Sequence, residues 1–417
     1  MTTHTPSPND HQNTKIHGTV WKIGWMMFLV NLSFVMGYSY VAIYMDYLGV
    51  SMAMIGLAEG IAEALSFILK LFSGILSDYF RRRKPLMVIG YSMIVVSRVL
   101  LGIATSFLPL ISARLLERIG NGTQSTPRDT IVADVMSSKR IGAAYGVKRS
   151  LSQAGAFLGA ITSMFAMRLF NNDIQSIFQS AIFPAIIAYC ILIFLIKEPK
   201  QFGHSAVSSE IPLPEEKRRH PISIKNLPLL GKSYWLLMLV AGIFMMARFG
   251  ESFLSLYARK TFDLPLENVP LVMMVFNAAW CLTSYPIGRM ADRMNRYWFL
   301  VIGIIFLILA NMVLANADSF VMLWFGIWFW GMQYAITMNI FLSLIAEIVP
   351  ENLRGTGFGC YYIICATSEF FANNIGGIVA QNFGQSRMFL SSGLIGTFSL
   401  LVLIVIMGYK SKKTALS

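Results

Sequence analysis

The chain has 417 residues, of which 55% are hydrophobic and 13% charged, with a formal net charge of +13 and a mean hydropathy of +0.60. Soluble domains carry about 25% charged residues, so this composition excludes a water-soluble globule. The basic residues lie in loops between apolar runs and not in a soluble basic domain, which excludes nucleic acid as a partner.

The apolar runs are continuous and about 20 residues long, the length that crosses a hydrocarbon layer of about 30 Å. They lack the short alternating pattern of a barrel, so membrane helices are predicted. Residues 1–20 are polar, show no signal-peptide pattern and read as a cytoplasmic tail. Apolar segments follow near 21–45, 50–77, 85–105, 107–135, 141–169 and 174–196. A charged, Pro-containing stretch at 197–232 reads as a cytoplasmic loop. Six more segments lie near 233–258, 266–290, 297–316, 319–348, 356–383 and 388–409, before a basic tail at 410–417. The fold expected is an all-α integral membrane protein of twelve spans, with six-helix bundles at 21–196 and 233–409. The basic clusters Arg81 to Lys84, Lys139–Arg140, Lys217 to Arg219 and Lys410 to Lys413 fall on one side, which puts both termini in the cytoplasm.

Cys190, Cys281, Cys360 and Cys365 all fall in apolar runs and read as buried packing residues, and all five histidines lie outside the spans, so no metal site is expected in the core. No phosphate-binding loop of the Gly-x-x-x-x-Gly-Lys-[Ser/Thr] kind occurs, and no cofactor is expected.

Two motifs recur at a nearly constant offset. Gly74-Ile-Leu-Ser-Asp78-Tyr-Phe-Arg-Arg82 returns as Gly288-Arg-Met-Ala-Asp292-Arg-Met-Asn-Arg296, and Ile131-Val-Ala-Asp134 returns as Leu344-Ile-Ala-Glu347. Such spacing indicates a duplicated six-span unit. The first motif resembles the Gly-x-Leu-Ala-Asp-Arg-x-Gly-Arg-[Lys/Arg] loop of the major facilitator superfamily, with Tyr79 and Arg81 departing from the pattern. The resemblance spans essentially the whole chain through span number, central loop and both motif copies. It implies alternating access, with Asp78 locking a cytoplasmic gate; Arg128, near the end of span four, is its candidate partner. The alternative for Arg81 to Lys84 is a purely topological role.

An ionisable residue at the bilayer centre costs roughly 2.5–3.5 kcal/mol on insertion scales, so it faces a cavity or a partner. Span two carries Glu59, Glu63 and Lys70 on one face; span four carries Arg114, Glu117 and Arg118 in an i, i+3, i+4 cluster. Arg98, Arg248, Glu251 and Glu369 complete the set. These charges read either as static ion pairs between spans two and four or as proton carriers. The repeat counterparts of Glu59, Glu63 and Lys70 are Met273, Asn277 and Ser284, so the span can be built without charge. Glu63, near the predicted midplane, is the first candidate for proton coupling, followed by Glu369, Glu251 and Glu59. Arg248 and Glu251, three apart, can pair with each other, or Arg248 can hold an anionic group.

In the superfamily the first, fourth, seventh and tenth spans line the central cavity. Carried onto this chain, that implies Tyr38, Tyr40, Arg114, Arg118, Arg248, Glu251, Gln333, Tyr334 and Asn339 as liners. The polar segment Gly120-Asn-Gly122-Thr-Gln-Ser-Thr-Pro127 reads as a weak stretch of helix and adds Gln124. Gly155 and Gly159 offer a face for tight helix packing. The function expected is a monomeric secondary transporter, coupled to protons, in a bacterial cytoplasmic (inner) membrane. Mixed charges with aromatics suit an amphiphilic or zwitterionic small-molecule substrate such as a siderophore, drug or peptide-like metabolite. Export ranks ahead of import; a non-transporting receptor and a membrane-embedded enzyme are the rivals from other classes.

Overall fold

The computed structural model describes residues 17–80, 82–136, 141–198, 224–291, 294–350 and 353–415. Among these residues the ordered elements are all helical. The first group comprises α1 (Gly18–Tyr47), α2 (Met52–Phe80), α3 (Lys84–Gly102), α4 (Phe107–Asp134), α5 (Ile141–Leu169), α6 (Ile174–Ser180) and α7 (Ile182–Cys190), the last extended by a π turn at Ile191–Leu195. The second comprises α8 (Gly231–Met246), α9 (Ser252–Phe262), α10 (Pro270–Ala291), α11 (Arg296–Ala315), α12 (Phe320–Ile348), α13 (Arg354–Phe383) and α14 (Gln385–Ala415).

Among the described residues ten helical stretches are long and apolar enough to cross a membrane. Helices α4 and α5 match them in length, with 28 and 29 residues, but are too polar to join that set. Large apolar side chains cover the outside: Phe183 is 70% exposed, Phe194 74% and Val405 70%. A surface of that kind is stable only against lipid. Cys190 and Cys281 belong to this exposed surface, so only Cys365 is a fully buried packing residue and Cys360 is half-buried. The expectation that all four cysteines are buried is corrected: an apolar span needs only one protected stripe, and the rest faces acyl chains. Outside the spans, Asp173 caps α6, and the hydroxyl of Ser176 holds its carboxyl below the usual carboxylate range.

Close helix contacts explain the polar stretch of α4. The helix is continuous through Gly120, Gly122 and Pro127, and the glycines serve approach, not breakage. A Cβ on Gly120 would lie 2.5 Å from the Gly90 carbonyl oxygen of α3, and one on Gly122 would lie 2.8 Å from the Ser66 carbonyl oxygen of α2. The Ser73 hydroxyl donates to the Gly122 carbonyl at 3.0 Å, and the Thr126 hydroxyl to the Lys70 carbonyl at 2.9 Å. Gly155 and Gly159 similarly bring α5 onto the backbone of α1 at Phe28 and Leu32. Between the two groups of helices, α2 packs on α13, α5 on α10 and α1 on α9.

The apolar run at 233–258 is not one helix. Helix α8 stops at Met246 and α9 starts at Ser252, leaving Ala247 to Glu251 unwound. Side chains of neighbouring helices take up the freed backbone groups, as irregular backbone in a membrane requires. The Gly250 N–H donates to Asn373 Oδ1 at 2.7 Å, and the Ala247 carbonyl accepts from Ser392.

Candidate functional site

The unwound segment forms the inner end of a cavity of about 770 Å³ between the two groups of helices. That volume lies in the range of small-molecule sites. Of the residues singled out from sequence, Tyr38, Glu63, Arg118, Arg128, Arg248, Glu251, Tyr334 and Glu369 line it. Lys70 lines it too, two turns beyond Glu63 on the same face of α2.

Behind the wall formed by α1, α2 and α4 lies a buried ion network. Arg114 holds Glu59 through two hydrogen bonds, Nε to Oε1 at 3.1 Å and Nη2 to Oε2 at 2.7 Å. Glu117 accepts from Arg98 at 3.1 Å and lies 3.5 Å from Arg114. Glu63 is paired with Arg118 and lies 3.8 Å from Arg114. The guanidinium of Arg114 also stacks over the Tyr38 ring at 4.5 Å. Three carboxylates therefore neutralise three guanidiniums, and the bidentate Arg114–Glu59 pair has the geometry that makes burial of charge tolerable. Glu59 and Arg114 lie in this network and not on the cavity surface, which separates Arg114 from the cavity liners expected.

On the opposite wall Arg248 pairs with Glu369 at 3.1 Å and lies over the Tyr334 ring at 3.8 Å. Of the two alternatives for Arg248, the pair with Glu251 is not formed: i, i+3 neighbours meet only on an intact helix, and this one is unwound between them. Glu251 instead accepts from the Tyr38 hydroxyl at 3.3 Å, and the Ser252 N–H donates to the same Tyr38 oxygen at 3.2 Å. No cation lies within ion-pair distance of Glu251 among the described residues.

Three other expected liners are placed elsewhere. Tyr40 is buried in the packing between α1 and the second group, its hydroxyl donating to the Leu266 carbonyl at 3.0 Å. Gln333 is fully buried on the packed side of α12, one turn from Thr337. Gln124 lines a smaller adjoining cavity of about 200 Å³ and accepts from Arg128 at 2.9 Å. The side chain of Asn339 lies outside the described residues.

Of the gating motif, Gly74 abuts Thr126 of α4 and Arg82 is exposed. Asp78, Gly288 and Asp292 have side chains outside the described residues. Arg128 bonds Asp129 at 2.9 Å and Gln124. The ion pairs described at this level are Arg83–Asp134 and, on the other group of helices, Arg296–Glu347 at 3.1 Å. Both join the two repeated sequence motifs, which sequence reasoning recognised separately without connecting. It also missed Lys148, Arg149 and Trp280, which line the cavity; the signal available was that all three are polar or amphipathic positions within helices of span length.

The sequence profile of the Major Facilitator Superfamily matches residues 23–373. An uncharacterized MFS-type transporter of Methanocaldococcus jannaschii is 26% identical over 407 residues, covering 95% of this chain and 97% of its own length. The multi-drug resistance efflux pump PmrA of Streptococcus pneumoniae is 24% identical over 397 residues, covering 91% of this chain and 94% of its own. Among solved structures, a variant of the nucleoside transporter NupG has a TM-score of 0.76 at 12% identity, covering 93% of this chain and 99% of that one. A bacterial homolog of the human lysosomal transporter Spinster, inward-facing and unoccupied, has a TM-score of 0.73 at 14% identity, covering 96% and 97%. At such identities the structural likeness establishes fold alone. A bundle of apolar helices around a charged cavity, a match over most of its length and full-length transporter relatives converge on one conclusion: the chain belongs to the Major Facilitator Superfamily and is an integral membrane transporter, not an enzyme.

Proposed function

We propose that the chain is a twelve-span secondary active transporter that exports an organic solute in exchange for protons by alternating access. The observation that carries this reading is a cavity between two groups of helices, lined by carboxylates from both. We read as its closed end the side where Lys260 of α9 pairs with Asp46 of α1 at 2.7 Å and Tyr40 bonds Leu266. Toward the other end the lining reaches Asp129, whose side chain is 43% exposed. With the basic loops cytoplasmic, that end faces inward, so the state is inward-open with both termini inside the cell. Adding the polar helices α4 and α5 to the ten apolar spans gives twelve. The paired links Arg83–Asp134 and Arg296–Glu347 support two copies of one six-helix unit, at 21–196 and 233–409. The protein acts as a monomer in the cytoplasmic membrane, and Asp78 and Arg128 take part in the inner gate.

For the coupling proton the geometry favours Glu251 over Glu63. Glu63 and Glu369 are held by Arg118 and Arg248, so protonating either breaks an ion pair. Loading Glu251 breaks none, and it changes the side-chain hydrogen bond by which the interrupted helix meets Tyr38 across the cavity. Protonation and the contact between the halves are thereby linked. The similarity to an efflux pump over nearly the whole chain supports export. Solute flux in proteoliposomes under an imposed pH gradient tests this reading: accumulation without chemical change supports it, and binding without flux refutes it.

A further inference from the structure

The charges that line the cavity are unevenly divided along its depth. At the inner end Glu63 and Glu369 sit on arginines and Glu251 stands without a cation. Toward the exposed end the Thr126–Lys70 and Lys148–Asp129 hydrogen bonds, at 2.9 and 2.7 Å, bring α2, α4 and α5 to one level. There Lys70, Arg128, Lys148 and Arg149 line the cavity with one carboxylate, Asp129, among the described lining residues at that level. Arg128 and Lys148 share it, at 2.9 and 2.7 Å. Lys70 and Arg149 have no carboxylate within ion-pair distance among the described residues. Among the described residues each packs on an aromatic ring: Lys70 over Phe67 at 4.7 Å and Arg149 over Trp280 of the other helix group at 5.1 Å.

A second observation points the same way. Trp280 lines the cavity beside Arg149, and its buried indole N–H has no acceptor among the described residues. An unused buried donor is expensive to leave unsatisfied. A cation on an aromatic face keeps its charge available for a ligand while the ring offers a surface for an apolar body. Topology alone explains basic residues at the ends of helices, but not a lysine near the middle of α2 nor an orphaned indole donor.

We propose that this end of the cavity is an anion subsite formed by Lys70, Arg149 and the indole N–H of Trp280, and that the transported solute is an organic anion, a carboxylate or phosphate on an aromatic or apolar body. The inference rests on the transporter reading for the word "transported" and on the cavity alone for the charge. The anion bridges α5 and α10 at the Arg149–Trp280 contact, so its binding draws the two groups of helices together at the open end.

The test reads electrostatics without requiring the solute to be identified. A reporter Gln153→Cys, one turn from Arg149 on the cavity wall, is placed in a chain whose four native cysteines are serine. Its reaction rates with a sulfonate-bearing and a trimethylammonium-bearing methanethiosulfonate are compared with those of a free thiol. The normalised ratio should favour the sulfonate; Arg149→Gln should lower it by roughly tenfold, the order expected for a unit charge removed one helical turn away, and Lys70→Gln should lower it in the same direction. Lys70→Arg should keep it. In parallel, phenylacetate should raise the thermal unfolding temperature of the native chain more than phenylacetamide or phenethylamine, with the gain lost in both glutamine variants. A ratio equal to the free thiol, a preference for the ammonium reagent, no change in both variants, or a charge-blind or amine-selective ligand response would overturn the proposal. Neither readout needs transport, so a chain that passes both and moves no solute refutes only the transporter mechanism.

Discussion

Replacing Glu59 by Gln strikes the most deeply buried carboxylate of the ion network. Its side chain is inaccessible, as is that of Arg114, and the two share bonds of 3.1 and 2.7 Å. Gln keeps the shape but removes one charge, leaving two carboxylates, Glu63 and Glu117, against Arg98, Arg114 and Arg118. Breaking a buried pair from one side costs about 3–5 kcal/mol, because the remaining charge stays desolvated. The expected loss for Glu59→Gln is therefore about 3 kcal/mol at the lower end, since Glu117 and Glu63 still lie near Arg114 and share part of its charge. Unfolding in mixed micelles of mild detergent and dodecyl sulfate measures it. The double variant Glu59→Gln/Arg114→Gln removes both charges and should be more stable than Glu59→Gln alone, a coupling that a double-mutant cycle isolates. A loss below about 1 kcal/mol, the range of exposed pairs, or a double variant no better than the single, would refute the view that this network is a static scaffold.

Asp78→Asn should shift the protein away from the outward-open state without loss of expression, and Arg128→Ala should resemble it. State-specific cysteine crosslinking of the double variant should show less than additive effects; additivity would remove Arg128 as the partner. For topology, cysteines placed before Trp21, beside Arg218 and at Lys412 should resist an impermeant thiol reagent added to intact cells. External labelling at any of the three would overturn the twelve-span arrangement.

Much of the helical fold was readable because an apolar run of span length has few alternatives in lipid, and each such run is helical among the described residues, with those at 174–196 and 233–258 in more than one piece. The interruption at Ala247 to Glu251 was not readable. Its sequence, Ala-Arg-Phe-Gly-Glu, holds one glycine and no proline, and the partners that stabilise it, Asn373 and Ser392, are more than a hundred residues away. That break in turn cancels the helical spacing on which one of the two alternatives, an Arg248–Glu251 pair, rested, and leaves Arg248 to Glu369. The opposite error occurred in α4, where Gly120, Gly122 and Pro127 suggested weakness. Glycine in a span supports close packing as readily as it supports a kink, and only the neighbours Gly90 and Ser66 decide between them. The network of spans two and four was legible as one of two alternatives, since complementary charges on two faces already suggested pairing. Which carboxylates line the cavity was not, because burial behind Tyr38 separates Glu59 from Glu63 by a single helical turn.

The central claim is that solute movement is tied to protons through Glu251. Proteoliposomes holding a trapped pH indicator, challenged with a series of organic anions, cations and neutral solutes, test it most directly. For wild-type protein, at least one solute should move protons across the membrane and emerge chemically unchanged. In Glu251→Gln that proton signal should vanish while exchange of labelled solute down its own gradient continues. Proton movement that survives in Glu251→Gln and is lost in Glu63→Gln would return the coupling role to Glu63, and solute movement with no proton signal in wild-type protein would contradict the account.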